Sequence, residues 1–102
     1  MIIAITVNCP TEEIADAIAE DLVTRRLVAA ANRYPEIRSR YVWQGKLETA
    51  SEFPLILKTR RDLFDAVAEA VRELHPYVTP SIVATEIVEA NAEYARWVSD
   101  NT

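Results

Sequence analysis

Gly45 is the only glycine in 102 residues, and it stands between two alternating runs. A chain that puts its one residue free to take positive φ at such a point marks a tight reversal there. On one side Ile37, Ser39, Tyr41 and Trp43 alternate with Arg38, Arg40 and Val42; on the other Leu47, Thr49, Ser51 and Phe53 alternate with Glu48, Ala50 and Glu52. Both arms read as half-buried strands. Their apolar sets share a face only if the loop holds an odd number of residues, so the pattern predicts a three-residue loop ending at Gly45. That register sets Tyr41 opposite Leu47 and Arg40 opposite Glu48. A two-residue Gln44-Gly45 loop mixes the faces and ranks second.

Half of the residues are hydrophobic, enough for residues 1–102 to form one domain with a core that needs no covalent staple. Eleven Lys and Arg stand against sixteen Asp and Glu, for a net charge of −5. With the basic residues paired at Arg25-Arg26 and Arg60-Arg61 rather than arrayed in a stripe, a nucleic-acid partner is not expected. Cys9, the one cysteine, excludes an internal disulfide and fits a reducing compartment. The opening apolar run, Ile2 to Val7, is too short to span a membrane and lacks a basic leader, which predicts a cytoplasmic protein.

Ile2 to Val7 is near-continuously apolar and β-branched at most positions, as in a central strand covered on both faces. Pro10 stops it. Thr11 as N-cap, followed by Glu12 and Glu13, opens a helix whose apolar stripe of Ile14, Ala15, Ile18, Ala19, Leu22 and Val23 predicts a run to Arg26 or Leu27. A second strand is expected from about Val28, bending at Pro35, and a third from Lys46 to about Lys58, with Pro54 forcing an edge position or a bulge. Thr59-Arg60-Arg61-Asp62 reads as a capping-box variant before a second helix carrying Leu63, Val67, Ala70, Val71 and Leu74 and ending at His75-Pro76. Tyr77 to Pro80 is a stiff connector, Ser81 to Glu89 a fourth strand, and Asn91 caps a last helix with Tyr94, Trp97 and Val98 on one side.

The order is that of an α+β, ferredoxin-like βαββαβ fold with a C-terminal helix and an extended hairpin between its second and third strands. Sheet order would be 4-1-3-2. This topology brings Cys9, His75 and the Gly45 turn to one edge. The hairpin outruns the first strand by about seven residues, roughly 20 Å. An unpaired ribbon of that length, bearing Tyr41 and Trp43, predicts pairing with other copies of the chain in a symmetric homo-oligomer.

Tyr41-x-Trp43-x-Gly45-Lys46, Leu57-Lys58-Thr59, Leu74-His75-Pro76-Tyr77-x-x-Pro80 and Tyr94-x-x-Trp97, in this order, resemble the divalent-cation tolerance family, CutA. The resemblance covers nearly the whole chain. It implies a homotrimer related in architecture to the PII signalling proteins, with the hairpins joining subunits, and an association with copper or another divalent cation without an established catalytic reaction. The chain departs from the family pattern at Ala30, where many members carry a cysteine, and at Ser81, where many have an acid.

His75 and Cys9 are the candidate metal ligands, and their soft and borderline donors suit copper-type ions. A helix stop for His75 and a small buried hydrophobe for Cys9 rank ahead of that role. One Cys and one His make half a tetrahedral site at most, so tight binding would need Asp or Glu nearby or ligands from a second subunit. No metal is expected to be required for folding. Trp43, Tyr77 and Lys46 could line a ligand pocket, though aromatic residues on a subunit-joining hairpin serve first as interface anchors. Lys58, with Arg60, could hold an anion at the start of the second helix, against the blander account of a solvated helix end. No Gly-rich phosphate loop, HExxH or Cys-x-x-Cys occurs, so no catalytic set and no enzyme activity are expected. A PII-like ligand-sensing or partner-binding trimer without a metal site is the alternative reading.

Overall fold

The computed structural model describes residues 1–102. In chain order the elements are β1 (Ile2–Cys9), α1 (Glu12–Thr24), β2 (Ala30–Arg33), β3 (Ile37–Trp43), β4 (Lys46–Arg60), a 3₁₀ turn (Arg61–Leu63), α2 (Phe64–Leu74), β5 (Ile82–Glu86) and α3 (Ala92–Asp100). The sheet order is β2-β4-β1-β5, with β3 continuing alongside β4 and all pairings antiparallel. This is the expected ferredoxin-like α+β arrangement.

Alternate residues of β1 and β4 explain the layering. Ile3, Ile5, Val7 and Cys9 lie opposite Thr59, Leu57, Leu55 and Phe53, and this face buries itself under Ala15, Ile18 and Leu22 of α1 and Val67, Ala70 and Val71 of α2. Ile2 points the other way and packs with Ala29 against Val98 of α3 in a second, smaller cluster. The N-cap of α1 is as expected, with the Thr11 hydroxyl accepting the Ile14 amide at 3.2 Å. Its far end comes earlier than the apolar stripe implies. Arg26 adopts φ +58°, Leu27 N–H bonds the Leu22 carbonyl and Arg26 N–H the Val23 carbonyl. That is a Schellman ending with arginine in the place glycine usually takes.

The expected second strand is two strands. Tyr34 N–H donates to the Pro54 carbonyl at 2.8 Å, so the side of Pro54 that lacks an N–H faces the interruption between Arg33 and Ile37. Proline thus breaks its neighbour's pairing rather than its own strand, and the β1–β4 register passes Asn8↔Pro54 without a bulge.

Three other expectations need correction. The hairpin turn is the two-residue loop ranked second: Gln44 and Gly45 have φ +50° and +79°, and Trp43 pairs with Lys46, Val42 with Leu47 and Tyr41 with Glu48. Matching apolar faces presumes one buried face. Here Val42 is 69 % and Leu47 72 % exposed, so burial does not choose the register and turn chemistry does. Second, Thr59 caps nothing: it is a buried strand residue whose hydroxyl donates to the Leu27 carbonyl at 2.7 Å, and β4 runs on to Arg60. Third, the Gly45 turn is not beside Cys9. Cys9 pairs with Phe53, and β4 continues from there to Lys46 without a β1 partner, roughly 23 Å farther. That overhang is the one the sequence predicted. No helix is long and apolar enough to cross a membrane.

Candidate functional site

β1 stops at Cys9 while β4 and its hairpin partner β3 run on, and the connector from α2 to β5 must pass around the end of β1 to reach its other side. The space between connector and hairpin is a cleft of about 670 Å³. Tyr41, Trp43 and Glu52 line it from the hairpin, Pro76 and Tyr77 from the connector, and Asn8 from β1. Register explains the hairpin's contribution. Ile37 lies opposite Glu52, so Ile37, Ser39, Tyr41 and Trp43 stand on the same face as Glu52, Ala50, Glu48 and Lys46.

His75 fixes the connector. Its Nε2 lies 2.8 Å from the Asn8 carbonyl oxygen and must donate, while Nδ1 accepts the Tyr77 amide at 3.2 Å. Both ring nitrogens of this nearly buried residue are therefore engaged by backbone. The ring also meets Tyr77 edge-on, with centroids 4.7 Å apart at 62°. Held in this way, Tyr77 donates its hydroxyl proton to Glu52 Oε2 at 3.1 Å.

Glu52 is only 5 % exposed, yet it makes none of the chain's five ion pairs. Its charge is felt by its neighbours. Burial first, and the Glu52 charge second, push the Cys9 thiol from 9.0 up to about 11. Burial, the Glu52 charge and the hydrogen bond to Glu52 push Tyr77 up to about 12. Both groups hold their protons more tightly folded than unfolded, so their stabilisation is complete below pH 9 and is lost as pH rises through about 11 to 12. Alkaline unfolding followed by circular dichroism should therefore steepen above pH 9, and Cys9→Ala should flatten its lower part, between 9 and about 11. An unchanged slope in that variant would remove Cys9 from the account.

The residues singled out in the sequence fall into three groups. Trp43 and Tyr77 line the cleft together; Lys46 pairs with Trp43 across the turn but does not line it. Cys9 closes β1 as a protonated, fully buried thiol, and His75 is tied to the preceding residue, Asn8, as an imidazole with both nitrogens occupied. No group of three or more His, Cys, Asp and Glu side chains is placed to hold a metal ion. Lys58 lies away from the cleft, donating to Asn32 Oδ1 at 3.3 Å, and Arg60 lies 3.5 Å from Asp62. Sequence reasoning missed Glu52. The signal was there, because the two-residue turn register places it on the Tyr41 and Trp43 face, and the three-residue register does not.

A family model described as CutA1 divalent ion tolerance protein matches residues 3–101. A divalent-cation tolerance protein CutA of Thermus thermophilus is 44 % identical over 98 residues, covering 96 % of this chain and 95 % of that one. Protein CutA of Homo sapiens is 38 % identical over 94 % of this chain, which spans 54 % of the human protein. The solved Thermus thermophilus structure superposes with a TM-score of 0.97 at 41 % identity, covering 100 % of this chain and 99 % of that one. The periplasmic divalent cation tolerance protein CutA of Archaeoglobus fulgidus gives 0.96 at 36 %, covering 99 % and 98 %.

Proposed function

Because the chain belongs to the CutA1 divalent ion tolerance family, we propose that it works as a non-catalytic, cytoplasmic homotrimer taking part in the response to copper-type divalent cations. The observation that carries the assembly is the hairpin. Tyr41, Val42, Trp43 and Leu47 are 41 %, 69 %, 42 % and 72 % exposed on a ribbon whose β4 edge has no partner beyond Phe53. Such an edge is stable in solution when another copy covers it. Three is the number that the family resemblance implies.

Cys9 and His75 enter this reading as weak ligands. A copper-type ion at the end of β1 must displace a proton from a thiol pushed up to about 11 and break one of the two His75 hydrogen bonds. Tight binding therefore draws further ligands from a second subunit. Light scattering on the purified protein should give three times the 11.5 kDa chain mass, and calorimetric copper titration should show affinity rising with pH. A monomer mass overturns the assembly. Tight, pH-independent binding that Cys9→Ser or His75→Gln abolishes restores a closed site within one chain.

The cleft favours a second reading, a PII-like ligand-binding trimer, since a buried carboxylate under aromatic rings is what a small-molecule site needs and a metal response does not explain.

A further inference from the structure

Building on that second reading, the geometry points to an organic ammonium ion as the ligand class of the cleft, with Glu52 as its counter-charge and Tyr41, Trp43 and Tyr77 as its aromatic wall. A carboxylate that is 5 % exposed and held by one hydroxyl at 3.1 Å is a desolvated charge with unused acceptor capacity. No lysine or arginine of the chain pairs with it. Arg40, the one cation at the cleft wall, stands on the opposite face of β3 by register.

Aromatic faces and a negative charge are the two features that select alkylammonium groups, which spread their charge over methyl or methylene hydrogens and are weakly hydrated. A metal ion would demand several oxygen, nitrogen or sulfur donors around it, and Glu52 is the cleft's only carboxylate. An anion would meet the Glu52 charge. The cleft, at about 670 Å³, is large enough for a substituted amine and far larger than a bare ion needs.

Calorimetry with choline and with its neutral isostere 3,3-dimethylbutan-1-ol separates the possibilities. Choline should bind saturably and at least about tenfold more tightly than the alcohol, and Glu52→Gln should reduce choline affinity by a similar factor while sparing the alcohol. Trp43→Ala, at a half-exposed position, should weaken both. Equal binding of choline and alcohol would leave a ligand-binding cleft but overturn the ammonium class. Binding of neither would overturn both. If Glu52→Gln lowers the oligomer mass in light scattering, a lysine or arginine of a second copy is the counter-charge, and the inference fails.

Discussion

Replacing Leu57 by alanine is expected to destabilise the fold by about 3–4 kcal/mol. Leu57 is fully buried in the middle of β4, opposite Ile5 of β1 on one side and Ala31 of β2 on the other. It belongs to the cluster that joins the sheet to Ile18 and Leu22 of α1 and Val67 and Val71 of α2. Truncation removes transfer free energy and leaves a void walled by two strands and two helices, which cannot all collapse into it. Glu20→Ala on the exposed side of α1 should change stability by less than about 0.5 kcal/mol. Both are read from guanidinium midpoints at one protein concentration, because subunit association adds a concentration-dependent term. A Leu57→Ala cost within the range of Glu20→Ala would mean that β4 is not the centre of the core.

His75→Ala should cost about 2–4 kcal/mol in the absence of any metal. The substitution strips the Asn8 carbonyl of its partner, frees the Tyr77 amide and removes the ring that packs against Tyr77. A residue whose role was confined to coordinating a metal would show no such loss in the apo protein. His75→Gln, which keeps a side-chain donor within reach of Asn8, should recover part of the stability. Because His75 fixes the Tyr77 amide, and Tyr77 donates to Glu52, the alanine variant should also bind choline more weakly than the glutamine variant. Equal stability of His75→Ala and wild type would overturn the structural role.

Most of the architecture was legible because it rests on local, periodic signals. The apolar run of β1, the stripe and Thr11 cap of α1 and the helix stop at His75 each act within a few residues, and the strand order follows from their sequence of types. The capping-box reading of Thr59 failed for the opposite reason: its hydroxyl partner, Leu27, is distant in the chain and close only in the fold. The split of β2 from β3 likewise depends on which side of Pro54 the N–H is missing, and that is a property of pairing.

The hairpin register connects these lessons to the site. With Val42 and Leu47 both exposed, no burial term favoured one alignment, and two left-handed residues at Gln44 and Gly45 decided it. A shift of one residue moves Glu52 from one face to the other, so the same choice hid or revealed the carboxylate under Tyr77. By itself the sequence determined the helices, the order of the strands in the sheet and the overhang of the hairpin, because hydrophobic periodicity and chain lengths suffice for those. Only the tertiary structure decided that an acid from β4 and a histidine and a tyrosine from the segment after α2 close around the end of β1, because burial and hydrogen bonding between distant residues leave no period in the chain.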